Sequence, residues 1–123
     1  MPDVHAKLSA SGAKKWIACP GSVLLEASVQ DKPSAYAAEG TTAHALGEAK
    51  IRLATKEYTK AKYHKAIKDL EIDDEMEEYT DAYRDFVIEQ LNQAKQRTAD
   101  AILLLEQRLD FSKYVPEGFG TGD

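Results

Sequence analysis

A chain of 123 residues with 43% hydrophobic and 30% charged side chains is sized for one domain with a modest core and is too apolar to be disordered. No apolar run approaches the roughly 20 residues of a membrane span, the first seven residues lack the apolar stretch of a secretory signal, and the one cysteine, Cys19, cannot form an internal disulfide. The expected setting is the cytoplasm, with no membrane partner, and the net charge of −5 offers no overall attraction to nucleic acid.

Ser9 or Ser11 is placed to cap a first short helix with Ala13, Trp16 and Ile17 on one face. Pro20 suits the first position of a second short helix through Leu24 and Leu25. Residues 30–33 read as a loop, after which Ser34 caps a long, alanine-rich helix to about Tyr58. Gly40 and Gly47 lie inside it, each costing up to about 1 kcal/mol relative to alanine. They imply close approach by another element or a ligand, or a break near Gly40. A polar helix is expected from Thr59 to Leu70. The clearest element begins at Asp73 or Asp74 and runs to about Thr98, with Met76, Tyr79, Tyr83, Phe86, Val87, Leu91 and Ala94 forming an apolar stripe. Acidic residues at its start and Lys95 and Arg97 at its end suit the helix dipole. The texture then changes to an apolar run and alternation, which predicts a strand over 102–109, followed by a glycine-rich turn and an approach to a second strand. The fold class is mainly α with a short C-terminal β element (α+β): one domain over 1–123, helical over 1–98, with strand and turn over 101–123.

Charge is unevenly distributed. Lys50, Arg52, Lys56, Lys60, Lys62, Lys65 and Lys68 face only Glu57 in the segment 50–68, and the sign then inverts with Asp69, Glu71, Asp73, Asp74, Glu75, Glu77, Glu78 and Asp81. One reading is two solvated faces attracting each other across a helix–helix turn. The other is a basic strip (Arg52, Lys56, Lys60, Lys62, Lys65 and Lys68) that meets DNA phosphates, with the acidic block confining the nucleic acid to one side.

Three constellations could carry chemistry. In Glu39-Gly40-Thr41-Thr42-Ala43-His44 followed by Glu48, the residues Gly40, His44 and Glu48 recur every four positions and share a helical face. Glycine leaves room beside the imidazole, and Glu48 can orient it or share a metal; a packed or surface histidine is the plainer alternative. Asp123, after Gly118-Phe119-Gly120-Thr121-Gly122, offers an oxygen ligand for Mg²⁺ or Mn²⁺. Cys19-Pro20 is either a free cysteine near Trp16 or a thiolate ligand.

Leu8-Ser9-Ala10-Ser11 through Trp16 to Cys19-Pro20, Ala38-Glu39-Gly40-Thr41-Thr42-Ala43-His44, Leu105-Glu106-Gln107-Arg108-Leu109-Asp110 and the closing Gly118 to Asp123 together resemble a phage- and prophage-encoded family. That family belongs to the RecB-like branch of the PD-(D/E)XK nuclease superfamily, and the likeness covers its N-terminal portion. It implies that His44 contacts a catalytic Mg or Mn, supported by Glu39 or Glu48, and that Asp123 is the first catalytic aspartate. It further implies that Glu106 is a strand glutamate of open role and that Cys19 is the first of four iron–sulfur cysteines. The strand with an acidic-x-Lys motif and the three later cysteines of the pattern do not follow Asp123 here. The expectation is therefore a nuclease-derived chain that does not cut DNA alone, holds no firmly bound metal and cannot complete the cluster. An unpaired strand edge implies a homo-oligomer or a complementing protein partner. The alternative is a small phage protein of the anti-defence or inhibitor type, acting by protein–protein contact through its acidic segment.

Overall fold

The computed structural model describes residues 6–29 and 34–122. Contacts within the chain separate two compact units, the first made of the segments Met1–Pro33 and Leu105–Asp123 and the second of Ser34–Leu104. Mainly helical secondary structure with a short β element at the end is observed, as the hydrophobic periodicities require.

In the first unit α1 spans Ala13–Ala18 and α2 spans Gly21–Ala27. Ser9 does act at the start of α1, one turn earlier than a helix cap: its Oγ accepts from the Gly12 amide at 3.1 Å, while the Trp16 indole donates to the Ser9 carbonyl at 2.9 Å. Pro20 takes the capping position of α2, and a Lys15–Glu26 ion pair joins the two helices. Ile17, Leu24 and Leu25 are exposed.

The β element of this unit is an antiparallel hairpin. Strand β1 (Gln107–Asp110) pairs with β2 (Phe119–Gly122), matching Gln107 to Gly122 and Asp110 to Phe119. The strand expected over 102–109 thus starts later, because residues 101–105 are irregular and Glu106 turns the chain with φ 50°. The glycines of the closing segment have a packing reason. A Cβ on Gly118 would stand 2.6 Å from the Phe111 ring and 2.8 Å from the Val115 carbonyl oxygen, and one on Gly122 would stand 3.3 Å from Leu109 Cδ1. Alternate glycines leave one face of β2 open to the side chains of Leu109 and Phe111. On the other face the Arg108 guanidinium lies over the Phe119 ring at 4.1 Å. The glycine-rich run expected as a turn is, from Phe119 onward, a strand.

The second unit holds α3 (Ala35–Ala54), α4 (Lys60–Ile67) and α5 (Asp74–Arg97). Each start is capped by the side chain the sequence supplies: Ser34 accepts from Ala37 N at 3.1 Å, Thr59 from Lys62 N at 3.2 Å and Asp73 from Met76 N at 2.7 Å. Helix α3 is unbroken at Gly40 and ends through Lys56, which adopts a left-handed φ of 64°. The core is small: Leu46, Ala49, Ile51 and Met76, with Lys50 and Thr80 buried among them. The apolar stripe of α5 is only partly used. Met76 is buried, whereas Tyr79, Tyr83 and Phe86 are exposed.

Gly118→Ala is expected to destabilise the hairpin by about 1–3 kcal/mol, the range for overpacking a filled site. Amide exchange at Phe111 and Gly118, which are bonded across the 111–118 loop, will report it as faster exchange, with the α3–α5 amides unaffected.

Candidate functional site

Helix α3 carries two adjacent faces. Ala43, Leu46, Gly47 and Lys50 recur at three and four positions and face α5; Gly40, His44 and Glu48 form the neighbouring row. His44 is exposed in mid-helix. Glu48 is already committed: its Oε1 accepts from Arg52 Nε and NH2, both at 2.8 Å. Arg52 also bonds Glu57 and lies 5.9 Å from the centre of the Tyr58 ring. The guanidinium pKa is raised by Glu48 and Glu57, although partial burial, the largest single effect, works in the opposite direction.

The two glycines of α3 differ. A Cβ on Gly47 would meet the Tyr83 ring at 3.2 and 3.3 Å, so α5 occupies the space that glycine leaves. At Gly40 no atom of the described residues beyond its chain neighbours and the adjacent helix backbone lies within 4 Å of such a Cβ.

Lys50, which the sequence groups with the basic residues of 50–68, is only 3% exposed. Its ammonium donates to Asp81 Oδ1 at 2.7 Å, Thr80 Oγ1 at 2.9 Å and the Glu77 carbonyl at 3.0 Å, with Glu77 Oε2 at 3.2 Å. The helical spacing from Leu46 and Gly47 was the signal that placed it on the buried face. The hydrogen bond from Lys50 holds the Asp81 carboxyl below the usual carboxylate range, and Arg84 adds to the effect. Burial and the nearby Glu77 raise the pKa of Tyr63, which lines the same cavity. Arg52 is tied into its own network, whereas Lys56, Lys60, Lys62, Lys65 and Lys68 are exposed, with Lys62 4.6 Å from the Tyr58 ring centre. The attraction expected between the basic segment 50–68 and the acidic block is made at one residue of that segment among those described. Among the described residues it is Lys50 of α3 that pairs with Glu77 and Asp81 of α5.

Glu39 lines a groove between α3 and α5 together with Tyr36, Gly40, Glu75 and Tyr79. Glu106 precedes β1 rather than lying in it, and Cys19 is exposed at the end of α1. Asp123 lies outside the described residues. Among the described residues no group of three or more His, Cys, Asp or Glu side chains could hold a metal ion, and no helix is long and apolar enough to cross a membrane.

This chain belongs to the DUF2800 family. The family model, described as a protein of unknown function, matches residues 5–123, so the membership extends over both units and includes His44 and Asp123. No solved structure matches the chain.

The Lys50 network yields an ordered set of stabilities. Glu77→Gln with Asp81→Asn leaves a buried ammonium without a counter-charge and is expected to cost about 3 kcal/mol. Lys50→Met keeps the stem and frees carboxylates that water can reach, and is expected to cost about 1 kcal/mol. Urea denaturation of both variants checks the order. Because the folded Asp81 pKa is depressed, its contribution is complete above about pH 4 and is lost as pH falls through the lower folded value; Asp81→Asn will lack that acid-dependent component.

Proposed function

We propose that this chain is the N-terminal part of a phage-derived, RecB-like PD-(D/E)XK nuclease whose intact form cleaves DNA with Mg or Mn, and that these 123 residues alone do not cut. The observation that carries the reading is the presentation of His44: an exposed imidazole in the middle of a continuous capped helix, with Gly40 one turn before it. An exposed imidazole can serve a metal as a neutral nitrogen ligand. With Glu48 held by Arg52, the carboxylate partner on which the reading relies is Asp123, with Glu39 the remaining candidate on α3.

Such a site needs several oxygen ligands and a cation to stabilise the developing charge of phosphodiester cleavage. Of that set, the reading assigns one histidine, His44, and one aspartate, Asp123, to these residues. Lys50 is unsuited to the cationic role because α5 already engages it. Exposed Lys56, Lys60, Lys65 and Lys68 would give the intact protein contacts to the DNA backbone. The edges of the two-stranded sheet, unpaired among the described residues, favour a second copy or a complementing chain that adds strands.

In an assay with Mn²⁺ on single- and double-stranded DNA, the chain is expected to cut no faster than the His44→Ala, Asp123→Ala double variant. Metal-dependent cutting that disappears in each single variant would overturn the inactivity. Titration with Mn²⁺ alone is expected to detect weak binding that His44→Ala abolishes; binding indifferent to that change removes the basis of the nuclease reading. Light scattering at rising concentration is expected to detect self-association, and a monomer throughout would leave only the complementing chain.

A further inference from the structure

We propose that the groove between the N-terminal halves of α3 and α5 is a docking site for an arginine side chain presented by a basic segment of a partner protein. The proposal does not depend on the nuclease reading.

The groove has a volume of about 350 Å³, within the range of sites that enclose a small group. Its α3 wall is made by Tyr36, Glu39 and Gly40, on the face that buries Leu46, Gly47 and Lys50 further along the helix. Beyond the core this face stays aromatic. Tyr36 is 86% exposed, and Tyr79 on the α5 wall is 67% exposed, which leaves two large rings in water without a packing role that accounts for them.

The charge of the groove is one-sided. Glu39, Asp73 and Glu75 line it, and among the described residues no lysine, arginine or histidine does. Asp73 is engaged in capping α5. Glu39 and Glu75 have no hydrogen bond or ion pair among the described residues, and the lysines of 50–68 do not line the groove. An occupant with positive charge is the complement. A bare metal ion fits poorly, since the described carboxylates do not converge as a ligand group and the walls are aromatic. A planar guanidinium is weakly hydrated, stacks on aromatic faces and takes carboxylates in its plane, whereas an ammonium is a compact, strongly hydrated charge.

Gly40 gives independent support. Glycine inside a helix costs up to about 1 kcal/mol relative to alanine, and no described atom uses the space its missing side chain leaves. Gly47 is different, because Tyr83 fills that space. At Gly40 the backbone is left open to an atom arriving from outside.

Fluorescence anisotropy of a labelled, end-blocked hexa-arginine peptide at about 0.15 M salt, where surface attraction is screened within roughly 8 Å, tests the site. Saturable binding is expected, weakened tenfold or more by Glu39→Gln with Glu75→Gln and by Tyr36→Ala. Asp69→Asn with Glu71→Gln, which removes the same charge outside the groove, is expected to leave binding nearly unchanged. Hexalysine is expected to bind more weakly than hexa-arginine. Gly40→Leu should raise the Tm, by relieving the helix of a glycine, and yet abolish binding. Absence of saturable binding, equal loss in the two charge-matched double variants, equal affinity for hexalysine, or undiminished binding by Gly40→Leu would each overturn the proposal.

Discussion

Burying an ammonium between two helices is unfavourable unless nearly every proton on it finds an acceptor, and that condition shapes the helical unit around Lys50. Thr80 and the Glu77 carbonyl supply neutral acceptors, while Asp81 and Glu77 supply the counter-charge. A nonpolar contact tolerates sliding; this one does not, since the acceptors sit at fixed positions on one turn of α5. The interaction therefore sets which residues of α3 and α5 oppose each other. The core is small enough for such a constraint to matter, with Leu46 and Ile51 the only large side chains fully removed from water among the described residues.

The surface of the unit follows from that alignment. With α3 held against α5 at Lys50 and with Tyr83 filling the space at Gly47, the aromatic and acidic residues of the two N-terminal halves are brought to the walls of one groove. On the neighbouring row of α3, Glu48 and Arg52 are occupied with each other and with Glu57, while His44 is exposed. Paired carboxylates and guanidinium groups are poor candidates for new ligands, because any ligand must first replace an existing partner. The same test separates Glu39 from Glu48, which the family resemblance left as alternatives.

In the hairpin unit, shape rather than charge decides. Gly118, Gly120 and Gly122 alternate along one face, so the rings and methyl groups of Phe111 and Leu109 can lie close to the backbone of β2. That packing explains the glycines without reference to a metal, and it leaves a functional assignment of Asp123 to rest on chemistry rather than on the glycines before it.

Helix existence and boundaries were legible in the sequence because their causes are local. Ser34 caps as expected, and Thr59 and Asp73, which stand at the expected helix starts, also cap. The β element was legible in kind but not in position: an apolar run over 101–105 resembles a strand, yet pairing begins at Gln107, where the partner strand lies. Lys50 was misread as surface charge although its spacing from Leu46 and Gly47 put it on the buried face, because composition weighs a lysine as solvated. Which carboxylates are spent and which remain open, why Gly47 is filled and Gly40 is not, and where the aromatic rings of α5 stay in water were decided only by the tertiary structure. These depend on which groups of distant segments approach within hydrogen-bonding and van der Waals range, and local spacing along one helix carries no information about its neighbour.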